Sequence, residues 1–244
     1  MRFFFEIAYK GTHYHGWQIQ PNAVSIQEKI QDALALIFKK TIAIMGAGRT
    51  DTGVHAKQLF AHFNVAENFD SDEVLYKLNG ILPKDIAIIA IHQVADNAHA
   101  RFDATSRTYH YYINTKKNPF TTESSWFVKQ NLDLDLMNQA AKKLFDYTDF
   151  QCFSKSNTDV KTYLCDIQEA YWKQEGDLLV FTITADRFLR NMVRAIVGTL
   201  VAVGSGKLPL SAMDEIIQSK NRSQAGASAA AQGLFLTQVK YPYL

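Results

Sequence analysis

Residues 45–56 read MGAGRTDTGVHA and set Arg49, Asp51 and His55 among Gly46, Gly48 and Gly53. A cation two positions from a carboxylate keeps that carboxylate ionised, and an ionised Asp51 is a nucleophile or a base. The same residues have a plainer use, with Asp51 capping a turn and Arg49 paired at the surface. Asp51-Thr52-Gly53 also spells the triplet of aspartic proteases, whose chemistry needs two carboxylates sharing one proton. Here the triplet follows Gly-Arg-Thr instead of an apolar strand, and the neighbouring guanidinium opposes proton sharing.

Other residues with chemical potential lie further along. Tyr109 stands in an aromatic run with Tyr111 and Tyr112. Its ring could stack on a nucleobase or simply pack in a core. Arg194 lies in the apolar segment FLRNMVRAIVG, where a cation needs a partner or a path to solvent. The net charge of +2 is unevenly spread. Residues 66–96 are acidic, whereas Arg101, Arg107, Lys116 and Lys117 face only Asp103 in residues 101–117, and Arg187, Arg190 and Arg194 occur with no acid in 187–194. Such patches suit a polyanion, although a solvated charged face has the same composition. His13, His15, His55, His99 and His110 have no metal-ligand spacing and read as structural residues or RNA contacts. Cys152 and Cys165 form no disulfide framework or metal motif and read as reduced cytoplasmic thiols. No metal site is expected.

The elements that must position these residues follow from periodicity. The 244 residues are 47% hydrophobic and suffice for one large or two modest cores. No apolar run is long enough to cross a bilayer, and the N-terminus reads as a strand and not a signal peptide. Strands are expected at 2–9, 41–45, 58–65 and 86–94. Helices are expected from the Ser25-x-x-Glu28 capping box to about Lys39, and from Asp70 to about Leu82 before Pro83. This β-α-β-β-α-β order is the ferredoxin-like pattern. The second half roughly repeats it, with strands at 108–115, 163–172, 178–185 and 234–241 and helices at 132–145, 187–203 and 210–219. The fold class is α+β, in two units with largely antiparallel sheets, residues 1–103 carrying the Asp51 loop and 104–244 carrying Tyr109 and Arg194. An RNA-binding module built from RRM-like units would share this order, but no RNP-type strand motif is present.

The motif Gly48-Arg49-Thr50-Asp51-Thr52-Gly53-Val54-His55-Ala56 resembles the G-R-T-D-x-G-V-H-A motif of the TruA-type tRNA pseudouridine synthases. Further similar motifs run in the same order along the chain: Gly16-Trp17-Gln18-x-Gln20, Ser25-Ile26-Gln27-Glu28-Lys29, His99-Ala100-Arg101-Phe102-x-Ala104-x-x-Arg107-x-Tyr109, Met192-Val193-Arg194-x-Ile196-Val197-Gly198, and Gly233-Leu234-x-Leu236 with Tyr241-Pro242. The resemblance implies an isomerase that converts uridine to pseudouridine at positions 38–40 of the tRNA anticodon stem-loop, as a homodimer, with an active-site cleft between its two units and no metal or organic cofactor. It places the catalytic aspartate at Asp51 and substrate-binding roles at Arg49, Tyr109 and Arg194. Arg194 would be the basic partner of Asp51, and Arg49 would enter the stack vacated by a flipped uridine or hold phosphate. Arg101, Arg107, Arg187 and Arg190 become candidate phosphate contacts. The family pattern often has basic residues on either side of Tyr109, where this chain has Thr108 and His110. Whether Asp51 attacks C1′, attacks C6 or takes the C2′ proton stays open.

Overall fold

The computed structural model describes residues 1–66, 68–156 and 160–244, so Glu67 of the acidic 66–96 run lies outside the described residues. Contacts divide the chain into two compact units, Met1–Thr105 with Phe235–Leu244, and Ser106–Leu234.

The first unit contains β1 (Arg2–Tyr9), α1 (Ile26–Phe38), β2 (Ile44–Gly46), β3 (His55–Asn64), α2 (Ser71–Ile81) and β4 (Ile86–Val94). Both helices start where their capping residues require. Ser25 Oγ accepts the Glu28 N–H while Glu28 Oε2 accepts the Ser25 N–H, a complete capping box. Asp70 Oδ1 accepts from the N–H groups of Asp72 and Glu73. Strand β1 lies antiparallel between β3 and β4, and β2 pairs with β3, giving the ferredoxin-like order β4-β1-β3-β2. Phe3, Phe5, Ile7 and Tyr9 alternate along β1 and are buried, and Ile26, Ile30, Ala33 and Leu34 form the buried stripe of α1. Phe5 stacks on Phe63 at 4.2 Å between ring centroids. Burying one such ring fully stabilises the fold by roughly 1.5–3 kcal/mol.

Strand β2 is shorter than the expected 41–45. Only Ile44–Gly46 pair with β3, opposite Ala61–Phe63. Gln31 Oε1 accepts the Ile44 N–H, and Gln27 Nε2 donates to Ile44 O, so α1 side chains take up the outer backbone groups of β2. Beyond Gly46 the chain leaves β3, and the vacated edge at His55 and Ala56 is taken by β9 (Leu234–Lys240), parallel, through Phe235 and Leu236. Strand β3 therefore begins at His55, inside the motif and three residues before the expected start.

The second unit contains β5 (Ser106–Asn114), β6 (Trp126–Phe127), α3 (Leu134–Lys142), β7 (Ile167–Glu175), β8 (Leu178–Ala185), α4 (Met192–Gly204) and α5 (Ala212–Ser219). Strand β8 is antiparallel between β5 and β7, and the short β6 runs parallel to β5. The α+β class holds, with mostly antiparallel pairing within each unit. Tyr111, Ile113, Phe181 and Ile183 are buried with the inner faces of α3 and α4.

The helix expected from Arg187 begins five residues later, at Met192. Asn191 sits in the left-handed region at φ 67°, which no helical residue adopts, and Asp186 Oδ1 turns back to accept the Arg187 N–H. Arg187 and Arg190 therefore belong to a connection and not to turns of α4. Strand β7 likewise starts at Ile167, four residues after the expected Tyr163, because the preceding segment pairs elsewhere, as in the Leu164 bridge to Asp149.

Candidate active site

The Asp51 loop, residues 47–54, connects β2 to β3. It is held by a second loop at residues 10–17. Trp17 N–H donates to Thr50 O (3.2 Å) and Gly53 N–H to Tyr14 O (3.3 Å). Within the loop, Val54 N–H closes a turn on Asp51 O at 3.1 Å. The Tyr9 and Thr50 hydroxyls share a buried 2.8 Å hydrogen bond. At Gly16 the backbone φ is +86°, and a Cβ there would collide with the Thr50 carbonyl oxygen. Only glycine meets both demands, which accounts for the Gly16-Trp17 motif physically. Trp17 is buried and its ring stacks on Tyr9.

This bracing presents Asp51 half-buried, beside the exposed Arg49 and the buried Thr50. His55 is buried at the head of β3. Its Nδ1 accepts the Gly11 N–H at 3.0 Å, and its ring stacks on Phe235 at 4.4 Å. These contacts make His55 a residue that locks the loop's exit. Arg101 projects from the turn after β4 with its guanidinium carbon 5.6 Å from the Phe102 ring centre, and both residues are exposed. His99 Nδ1 accepts the N–H groups of Arg101 and Phe102, and Asp103 Oδ2 accepts the His99 N–H at 2.7 Å, so the turn is internally bonded.

In the second unit Tyr109 lies on β5 opposite Ile183 of β8. Strand alternation puts it on the same face as Tyr111 and Ile113, yet Tyr109 is half-buried where those two are fully buried. Phe188 meets its ring edge-on at 5.1 Å. Arg107, two residues before, donates to Asp186 O at 2.7 Å, and Arg187 donates to Thr162 O at 3.2 Å. The structure thus gathers Arg107, Tyr109 and the 186–188 connection at one corner of this unit.

Arg194 is in the first turn of α4. Its Nε donates to Ala229 O at 2.7 Å, and Ala229 N–H donates back to Arg194 O at 2.9 Å. Ala229 belongs to the strap GASAA, residues 226–230, which lies directly on α4. A Cβ on Gly198, one helical turn beyond Arg194, would occupy the position of the Ala227 carbonyl oxygen. Gly226 N–H bonds to Thr199 Oγ1 (3.0 Å), and Ser228 Oγ accepts from Asn191 Nδ2 (2.7 Å) and from Arg222 (2.8 Å). Tyr111 O–H donates to the next carbonyl, Ala230 O, at 2.7 Å. Burial drives the Tyr111 phenol well above its usual pKa, with the Arg194 charge opposing it, so Tyr111 stays a neutral donor. The strap and Tyr111 were not legible as site elements. The signal available was the small-residue run from Ala225 to Ala231, which excludes bulky contacts and permits backbone-to-helix packing.

Among the described residues no group of three or more His, Cys, Asp or Glu side chains could hold a metal ion, and no helix is long and apolar enough to cross a membrane.

The tRNA pseudouridine synthase family model matches residues 7–103 and 140–242. The chain is 54% identical over 243 residues to tRNA pseudouridine synthase A of Bacteroides fragilis, and 53% identical over 242 residues to that of Parabacteroides distasonis. Each alignment covers 99% of this chain and 96% of the relative. The tRNA pseudouridine synthase A of Bacteroides thetaiotaomicron is 51% identical over 99% of this chain and 91% of its own length. With the family model matched on both sides of residues 104–139 and relatives aligned almost end to end, the chain belongs to the tRNA pseudouridine synthases, a family of tRNA-modifying isomerases.

Proposed function

We propose that this chain isomerises uridine to pseudouridine at positions 38–40 of the tRNA anticodon stem-loop, as a cytoplasmic homodimer, with Asp51 as the catalytic residue. The observation that carries the reading is the bracing of the Asp51 loop by the backbone of residues 14–17 and by the Tyr9–Thr50 bond. A surface turn needs no such support, whereas a reacting carboxylate must be held to within a fraction of an ångström.

In the reaction the N1–C1′ bond of the uridine breaks, a C5–C1′ bond forms, the C5 proton leaves and N1 gains a proton, so the base keeps its formula. The Asp51 carboxylate acts in its ionised form, on C1′, on C6 or on the C2′ proton. The Arg194 guanidinium is the proposed partner that orients it, with Ala229 O fixing the direction of the arginine side chain. A stem uridine must leave the stack to be reached, at a cost of a few kcal/mol. Tyr109 offers a ring for the extruded base, with Phe188 setting its tilt. Arg49 fills the vacated stack or holds a phosphate. Arg101, Arg107, Arg187 and Arg190 are proposed phosphate contacts.

The test is Asp51→Asn, which preserves shape and turn-capping ability but removes the anion. It should fold, bind unmodified tRNA about as well as the parent chain, and form no pseudouridine in a single-turnover assay at saturating enzyme with positions mapped. Appreciable turnover would remove Asp51 from the chemistry, and product at other uridines would overturn the anticodon-arm assignment.

A further inference from the structure

Beside the corner that holds Arg187 and Arg190, the second unit has a polar depression of about 290 Å³. Lys155, Lys220 and Arg222 line it together with Gln151, Ser154 and Tyr163, and no acid is among the described lining residues. These residues come from two distant regions of sequence, 151–156 with the nearby Tyr163, and 220–222.

The cations are arranged and not merely collected. Asp149 Oδ2 holds Lys220 Nζ at 2.7 Å, which fixes that ammonium at the rim. Arg222 donates to Gly226 O (3.2 Å) and Ser228 Oγ (2.8 Å), so its guanidinium plane is set by the strap that also holds Arg194. Lys155 N–H donates to Arg190 O at 2.9 Å, which ties the wall of the depression to the arginine connection. A planar guanidinium, two ammonium groups, a hydroxyl and an amide around a concave space suit an oxyanion and not an apolar ligand. The continuation of positive charge to Arg187 and Arg190 suits a chain of phosphates rather than a lone anion.

We propose that this depression is a phosphodiester subsite, which seats one backbone phosphate of the tRNA away from the reacting uridine and so sets the register of the RNA on the enzyme. The proposal rests on tRNA being the substrate. It adds Lys155, Lys220 and Arg222 to the binding surface, and it couples that surface through the strap to the residue proposed to orient Asp51.

The experiment compares the parent chain with Lys155→Gln, Lys155→Arg and Lys155→Gln/Lys220→Gln, leaving Arg222 intact because it braces the strap. Affinity for an unmodified tRNA transcript is measured across a series of KCl concentrations, with single-turnover conversion at saturating enzyme in parallel. Lys155→Gln should raise Kd about three- to tenfold at low salt and lower the slope of log affinity against log salt by about one. The double variant should go further in both, and Lys155→Arg should match the parent. Parent-like affinity and slope in both glutamine variants would overturn the subsite. Thermal stabilisation by inorganic phosphate that the glutamine variants lose, with no change in tRNA binding, would assign the depression to a free anion and also overturn it. A parent chain that binds tRNA with a steep salt slope yet makes no pseudouridine would refute the proposed activity and leave the slope comparison intact.

Discussion

Gly198→Ala tests whether the strap positions Arg194. In a helix interior this change normally stabilises, by roughly 0.5–1 kcal/mol, because alanine has less backbone freedom to lose. In α4 the new methyl group would fall on the Ala227 carbonyl oxygen. Relief to an ordinary carbon–oxygen contact requires the strap to withdraw by on the order of 1 Å. Ala229 is two residues along, and its carbonyl accepts the Arg194 Nε–H at 2.7 Å. A similar retreat there takes the donor–acceptor distance beyond about 3.5 Å, where the hydrogen bond is lost. A hydrogen bond to a charged group contributes about 1.5–3 kcal/mol, and a displacement of this size in a catalytic array can cost up to about a hundredfold in rate. Gly198→Ala should therefore lower single-turnover pseudouridine formation at saturating enzyme by about ten- to a hundredfold, with tRNA affinity within about threefold of the parent. The loss should be absent in an Arg194→Lys background, which already lacks the Nε–H donor, and this non-additivity separates positioning from general damage. A variant with parent-like turnover and a raised melting temperature would refute the reasoning.

Three further outcomes follow from other parts of the molecule. Tyr109→Phe keeps the ring and should retain turnover if stacking is its whole role, whereas Tyr109→Leu should lose it; slow turnover in both would add a proton-transfer role for the hydroxyl, and parent-like Tyr109→Leu would make Tyr109 a packing residue. Gly16→Ala should destabilise the Asp51 loop, since both its φ of +86° and the nearby Thr50 carbonyl oppose a side chain, and this is checked by hydrogen exchange at Thr50–Val54 together with turnover. Burial, with the His99 and Arg2 charges, holds the His62 pKa down to about 4, so the folded chain keeps a neutral ring where the unfolded chain takes up a proton near pH 6.5. That stabilisation is full above pH 6.5 and falls as pH drops from there towards 4, by at most about 1.4 kcal/mol per pH unit; denaturant unfolding over that range should show the decline, and His62→Gln should flatten it.

Local chemistry made much of the first unit legible. Ser25 and Glu28 can cap only a helix start, Asp70 and Pro83 bracket another, and β1 and β4 run over the very residues whose hydrophobic pattern marks them. The motif around Asp51 was likewise legible, because a connection between two strands needs fewer residues than this one and does not by itself call for an arginine and a carboxylate two apart. Three features depended on partners far away in sequence. Strand β2 starts only at Ile44 because β3 opposite it ends at Asn64; Gln27 and Gln31 of α1 take its outer backbone groups, and β9, nearly 180 residues downstream of His55, takes the other end of the β3 edge. The segment after Asp186 reads as helix by composition, yet the Asp186 side chain and the left-handed Asn191 delay α4 to Met192. The strap at 226–230 has no periodicity at all, and its place on α4 is set by Gly198, Thr199 and Arg194, which only the folded chain brings to it. Residue types thus determined which groups could react and which helices could start, since caps and alternation act over a few residues. Which carbonyl aims an arginine, and which lysines share a depression, was decided by tertiary packing, because those bonds join backbone and side chains whose order along the chain carries no trace of their proximity.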